Sequence, residues 1–145
     1  MELGMIGLGR MGANMSERLV RGGHRVVGFD FKPEARKRVE AHGAESAAAL
    51  DALVTKLAPP RTLWLMVPAG DATEATITAL LPLLTAGDAV IDGGNSNYKD
   101  TQRRSRVFTD KRVNYVDCGT SGGIWGLAEG YSMMIGGDAS AVERL

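Results

Sequence analysis

Gly7-Leu8-Gly9-Arg10-Met11-Gly12 stands between a short apolar run, Leu3 to Ile6, and a stretch in which Met11, Met15 and Leu19 recur four residues apart. A GxGxxG turn in that setting, between a strand and a helix, constrains the fold more than any other feature of the chain. Gly7 allows the tight turn, Gly9 lets backbone approach an anionic group with no Cβ in the way, and Gly12 lets the helix pack close to the strand. An anion held there meets unpaired N–H groups and the positive end of the helix dipole. Strand and helix signals alternate from this loop onward, so the fold class is α/β, a doubly wound and mainly parallel sheet in three layers.

The element pattern follows from periodicity and punctuation. A helix from about Met11 to Arg21 stops at Gly22-Gly23, and Arg25 to Phe29 is the second strand. Pro33 opens a basic helix that ends near His42-Gly43, and the Ala-rich stretch Ser46 to Leu57 predicts another, broken by Pro59-Pro60. Thr62 to Val67 reads as a strand buried on both faces. Asp71 followed by Glu74 has the spacing of a capping box, which predicts a helix carrying Ile77, Leu80, Leu81 and Leu84 that Pro82 shortens. Ala89 to Ile91 is a short strand, Asn97 to Phe108 an Arg-rich helix, and Val113 to Val116 and Tyr131 to Ile135 are two more strands around the Gly-rich stretch Gly119 to Gly130. Asp138 is placed to cap a last helix containing Val142 and Leu145.

Composition narrows the function classes. The 145 residues carry 17 basic and 17 acidic side chains, which leaves no electrostatic footprint for nucleic acid. No apolar stretch approaches the roughly 18 residues of a membrane-spanning helix. Neither nucleic acid nor membrane is therefore expected as a partner; the expected partner is a small molecule. The single Cys118 cannot form an internal disulfide, and with no charged leader segment ahead of the first strand it fits a reducing, cytoplasmic location. No Cys/His cluster has metal-ligand spacing, so no metal is expected.

Asp30 ends the second strand, 18 residues after Gly12, close to the spacing at which an acid accepts from a ribose 2′-hydroxyl. Strand, glycine loop, helix, strand and acid in that order describe a Rossmann-like dinucleotide site with Gly7, Leu8, Gly9, Arg10, Met11 and Gly12 as its cradle. A carboxylate beside the 2′-position repels a 2′-phosphate, which favours NAD over NADP. Lys32 pulls the other way, since its ammonium could hold that phosphate. NADP therefore stays possible. Arg36 and Lys37 read as solvated helix-face charges.

Three further segments carry a family resemblance: Leu65-Met66-Val67-Pro68-Ala69-Gly70, Asp92-Gly93-Gly94-Asn95-Ser96-Asn97-Tyr98-Lys99-Asp100-Thr101, and Asp117-Cys118-Gly119-Thr120-Ser121-Gly122-Gly123. With the glycine loop and Ala13-Asn14-Met15, they resemble the 6-phosphogluconate dehydrogenases, a branch of the β-hydroxyacid dehydrogenases, and Ile124-Trp125-Gly126 is similar to the short bacterial form that often prefers NAD. The resemblance implies that Val67, Pro68 and Ala69 line the cofactor past its diphosphate. It also implies that Asn95 lies between the nicotinamide and the sugar acid, and that Ser121, Gly122 and Gly123 bind 6-phosphogluconate. The reaction so implied is oxidation of 6-phosphogluconate to ribulose 5-phosphate and CO2.

The family's general base, a Lys, and its acid, a Glu, come from beyond the dinucleotide domain. No Lys follows Lys111, and Glu129 and Glu143 do not match the acid's position. Residues 1–145 are accordingly expected to form an NAD(P)-binding domain without catalytic residues, with a helical catalytic and dimerisation domain lying beyond Leu145 and the whole protein a homo-oligomer. Two alternatives stand beside this reading: another β-hydroxyacid dehydrogenase, of the 3-hydroxyisobutyrate or tartronate semialdehyde type, or an NAD-binding module without turnover. Among the other residues, His24 and His42 are expected to be exposed, Cys118 to be a small buried apolar side chain, Trp64 core, and Trp125 either exposed or beside the substrate.

Overall fold

The computed structural model describes residues 1–145. Its seven strands are β1 (Glu2–Ile6), β2 (Arg25–Phe29), β3 (Glu45–Ala47), β4 (Thr62–Leu65), β5 (Ala89–Asp92), β6 (Asn114–Ser121) and β7 (Ser132–Gly136). Its helices are α1 (Arg10–Arg21), α2 (Pro33–Glu40), α3 (Leu50–Thr55), α4 (Asp71–Leu80), α5 (Tyr98–Asp110), α6 (Gly126–Glu129) and α7 (Ala139–Glu143). The strands form one sheet in the order β3-β2-β1-β4-β5-β6-β7, parallel except for β7. No helix is long and apolar enough to cross a membrane.

Alternation along the strands divides the core into two faces. On one side Leu3, Met5 and Val26 pack under Ala13, Met15, Ala35 and Val39 of α1 and α2. On the other, Ile6, Val27, Leu63, Leu65 and Val90 meet Leu53, Ile77, Leu80 and Phe108 of α3, α4 and α5. Helices cover both faces, which makes the three expected layers. A smaller group, Ile91, Val116 and Cys118, lies under Ala141 of α7.

Two local expectations are overturned. Ser46 to Leu57 is not one helix, because Glu45, Ser46 and Ala47 pair with Val27, Gly28 and Phe29 as the parallel edge strand and only Leu50–Thr55 is helical. Hydrogen bonds to β2 outweigh the small helix preference of the alanines. Asp71 does not cap α4 either. The N-cap is Gly70, with φ 92°, no side-chain cap is made, and Glu74 turns to Arg103 and Arg104 instead. Elsewhere the punctuation acts as expected: α4 gives way to a 3-10 turn at Leu81–Leu83 that contains Pro82, and Asp138 caps α7 by accepting from the Ser140 and Ala141 N–H groups. Strand β6 runs on to Ser121, longer than the expected Val113 to Val116, because β7 pairs with it antiparallel from Asp117 to Ser121.

Candidate dinucleotide site at the sheet's switch point

The chain leaves β1 toward β2 and β3, then crosses back to place β4 on the other side of β1. Between such strands an open sheet leaves a crevice at its carboxyl end. Gly7 and Met66 follow β1 and β4 there, and Gly7 (φ +93°) must be glycine because a Cβ would lie 2.5 Å from the Met66 carbonyl oxygen. A Cβ on Gly12 would overlap the carbonyl oxygen of Gly7, so this glycine sets the seating of α1 on the loop. Gly9 differs from both: nothing lies within 4 Å of where its Cβ would be. No contact within the protein calls for a glycine there. The open space is what an approaching ligand needs.

Gly9 is also the N-cap of α1, with no side-chain cap, and the first helical bond runs from Ala13 N–H to its carbonyl. The N–H groups of Arg10, Met11 and Gly12 therefore precede the helical ladder and are free for an anion. This open cradle fits a diphosphate.

Asp30, half-buried just after β2, accepts from Leu8 N–H at 2.8 Å and from Lys32 N–H at 2.9 Å, one bond to each oxygen. Each oxygen keeps a lone pair for a ribose hydroxyl. The acid thus does more than the spacing suggested, since it also holds the glycine loop. Arg38 of α2 donates to the carbonyls of Leu8 and Gly9, and Arg36 to those of Asp30 and Phe31. Arg36 is therefore a half-buried brace rather than a solvated charge. The ammonium of Lys32 is exposed. Two clefts share Gly9 and Asp30: one of about 360 Å3 lined by Arg10, Lys32 and Arg38, the other of about 390 Å3 running past Val67 and Pro68 to Ala72 and Ala75 of α4. Phe31, 85% exposed, stands at the mouth of the second. Thr73, fully buried, donates to the Pro68 carbonyl at 2.9 Å and steadies the Val67-Pro68-Ala69 turn.

Gly93 and Gly94 permit close approach, and it is the protein itself that fills the space. A Cβ on Gly93 would strike the Trp64 indole nitrogen, and one on Gly94 would lie 2.7 Å from the Val67 carbonyl oxygen. The glycines bring the two turns together. Asn95, at φ +56°, then reaches β6: its carbonyl accepts from Thr120 N–H at 2.9 Å and its amide donates to the Thr120 carbonyl at 3.1 Å. One N–H and one lone pair of Asn95 remain. Ser121, next along β6, is exposed, and Gly122 and Gly123 follow with φ of +138° and +49°. The loop, Val67–Ala69, Asn95 and Ser121 thus lie at the carboxyl ends of four adjacent parallel strands.

Behind the Asn95 turn lies a buried cluster whose Arg104 and Tyr115 no motif announced. Asp92 is fully buried, and its Oδ2 accepts from Ser96 Oγ (2.7 Å), Arg104 Nη1 (3.0 Å) and the Tyr115 hydroxyl (2.7 Å), while Oδ1 accepts from Gly94 N–H (3.0 Å). Arg104, 1% exposed, also donates through Nε to Glu74 at 2.9 Å and through Nη1 to Ser96 at 2.7 Å. Its Nη2 lies 2.7 Å from Glu74 without hydrogen-bond geometry, so that contact is electrostatic. Burial and the bond to Asp92 push the Tyr115 phenol far up, leaving it a donor at any working pH. The only sequence sign of Arg104 was its phase: it sits four residues before the buried Phe108, and Arg103 and Arg106 do not.

Of the remaining residues, His42 is exposed as expected, whereas His24 is half-buried, its Nδ1 2.9 Å from the Met1 amine. Cys118 is buried and its thiol pKa raised by burial, which keeps it protonated and inert. Trp64 is only partly buried, and Trp125 is 71% exposed.

Fold and site together define a Rossmann-like dinucleotide-binding domain. The family described as the NAD binding domain of 6-phosphogluconate dehydrogenase matches residues 2–145, and the chain belongs to it. It is 45% identical over its whole length to an NAD(+)-dependent, decarboxylating 6-phosphogluconate dehydrogenase of Haloferax volcanii, covering 48% of that protein. Among solved structures it is similar to the Plasmodium falciparum 6-phosphogluconate dehydrogenase (TM-score 0.90, 31% identity, 99% of this chain and 32% of that one). It is equally similar in fold to a Mycobacterium tuberculosis 3-hydroxyisobutyrate dehydrogenase (TM-score 0.90, 29% identity, 99% and 48%). The chain spans about half the length of the Haloferax relative.

Proposed function

We propose that the chain is the dinucleotide-binding part of a decarboxylating 6-phosphogluconate dehydrogenase that prefers NAD to NADP. Fold similarity does not separate this from a 3-hydroxyisobutyrate dehydrogenase, since both reach the same TM-score. The observation that carries the reading is the Asn95 turn, whose amide binds Thr120 in both directions and so sets Ser121, Gly122 and Gly123 beside it at the nicotinamide end. A bound nicotinamide would supply the hydride acceptor, and the residues of this chain would orient the sugar acid against it. The free N–H groups of Arg10, Met11 and Gly12 hold the diphosphate, Asp30 the ribose diol, and Val67 to Ala69 the far wall. Ser121 and the backbone of Gly122 and Gly123 take the sugar acid. Proton transfer falls to a Lys and a Glu of a helical second domain, which also joins the subunits of a cytoplasmic homo-oligomer.

Asp30 makes the cofactor preference testable. Its carboxylate repels a 2′-phosphate by on the order of 1–3 kcal/mol, against which the exposed Lys32 offers a screened point charge. Calorimetric titration of this chain is expected to show tighter binding of NAD than of NADP, with Asp30→Ser narrowing or reversing the gap. Tighter NADP binding by the unaltered chain would mean that Lys32 and Arg10 dominate. For the substrate, the protein in its full natural length is expected to form NADH from 6-phosphogluconate. Turnover of 3-hydroxyisobutyrate in its place would assign the enzyme to the other branch.

A further inference from the structure

We propose that the buried Asp92–Arg104–Tyr115 cluster is a positioning device for the nicotinamide end of the site, holding the Gly93–Ser96 turn so that Asn95 can fix the end of β6. The inference rests on the reading above that a dinucleotide lies across the switch point. A buried ion pair is weak evidence of stabilisation, because apolar side chains of similar volume serve a core as well or better. What such a cluster can supply is a unique geometry, and here every bond converges on one turn. Asp92 is the last residue of β5, immediately before the two glycines. Its two oxygens collect donors from the turn itself (Gly94 N–H, Ser96 hydroxyl), from α5 (Arg104) and from β6 (Tyr115). Glu74 ties the same guanidinium to α4, the helix that lines the nucleotide cleft.

The turn needs this hold, because Asn95 sits in the left-handed region that a non-glycine residue adopts only at a cost. A relaxed turn would swing Asn95 away from Thr120 and release the start of the Ser121–Gly123 segment. The other end of β5 offers a comparison. Asp88, equally buried, accepts from Arg61 and Thr85 near the amino-terminal edge of the sheet, away from any of the cleft residues. It ties down a loop but reaches no residue of the site.

Tyr115→Phe and Ser96→Ala each remove one bond to Asp92 while keeping the charge pair, and Thr85→Val does the same to Asp88 as a control. Hydrogen exchange of the Thr120 amide, followed by NMR in this chain, reports the Asn95 clasp directly. Calorimetry with NAD and with ADP-ribose separates the nicotinamide end from the adenosine end. Both site variants are expected to speed Thr120 exchange about tenfold, the size of one lost hydrogen bond to a charged group, with Val27 and Leu63 amides unaffected. NAD affinity is expected to fall about fivefold and ADP-ribose affinity less than about twofold, with Thr85→Val changing neither. Unchanged Thr120 exchange, acceleration spread over the whole sheet, or equal weakening of both ligands would overturn the proposal. Should Tyr115→Phe fail to fold, Ser96→Ala on the half-buried turn decides it alone. Failure of the unaltered chain to bind either ligand would instead sink the dinucleotide reading.

Discussion

Gly9→Ala is expected to leave the chain as stable as the wild type within about 0.5 kcal/mol while lowering its affinity for NAD at least about tenfold. The reasoning is geometric. Gly9 has φ −60° and ψ −170°, a conformation any residue adopts, and its missing Cβ faces open space. Alanine therefore fits the protein and obstructs only what enters the cradle. Gly12→Ala is expected to behave in the opposite way. Its Cβ would collide with backbone, the carbonyl of Gly7, which cannot swing aside as a flexible side chain could. Helix α1 would have to lift from the loop, costing about 1–3 kcal/mol or more and scattering the N–H groups proposed to hold the diphosphate. Denaturant unfolding and calorimetry on the two variants distinguish a glycine kept for a ligand from one kept for packing. If Gly9→Ala bound NAD normally, the cradle would lie elsewhere.

Arg104→Met is expected to destabilise the chain by about 3–5 kcal/mol, because it leaves the Asp92 carboxylate buried without its counter-charge. For a chain of this length that lowers the melting temperature by on the order of 10 °C. The double variant Asp92→Asn, Arg104→Met removes both charges and is expected to recover a large part of the loss. A double variant no more stable than the single one would show that neutral packing cannot replace the pair, and a single variant of unchanged stability would mean that water reaches Asp92. Thermal melts of the three proteins give the coupling directly.

Much of this fold was legible because its signals are local. The glycine loop, the acid after β2 and the apolar strand Thr62–Leu65 each declare themselves within a few residues, and the order of strands and helices follows. Where tertiary partners decide, local sequence misleads. Ser46 and Ala47 look helical until β2 is beside them. Asp71 and Glu74 have capping-box spacing, but Arg103 and Arg104, some thirty residues on, claim Glu74. The site divides in the same way. Its backbone features, the cradle and the Asp30 position, could be read from spacing, while the supports behind them could not. Arg38 on the loop carbonyls, and Arg104 and Tyr115 on Asp92, act through separations that no short motif spans.

The crossing from β3 back to β4 also has a mechanical side. The ladder between β1 and β4 joins only three residue pairs, Gly4–Leu63, Met5–Trp64 and Ile6–Leu65, against five between β1 and β2. Within the sheet it is the ladder along which strands from the first third of the chain meet the rest, and it runs directly beneath the crevice. A dinucleotide bound as proposed would touch Gly9 and Asp30 on one bank of that crevice and Val67 and Asn95 on the other. Occupancy would then work as a clamp over a short weld. By mass action a ligand present at a hundred times its Kd adds about 2.7 kcal/mol to the folded state, and the amides of β1 and β4 are where that added protection should register first.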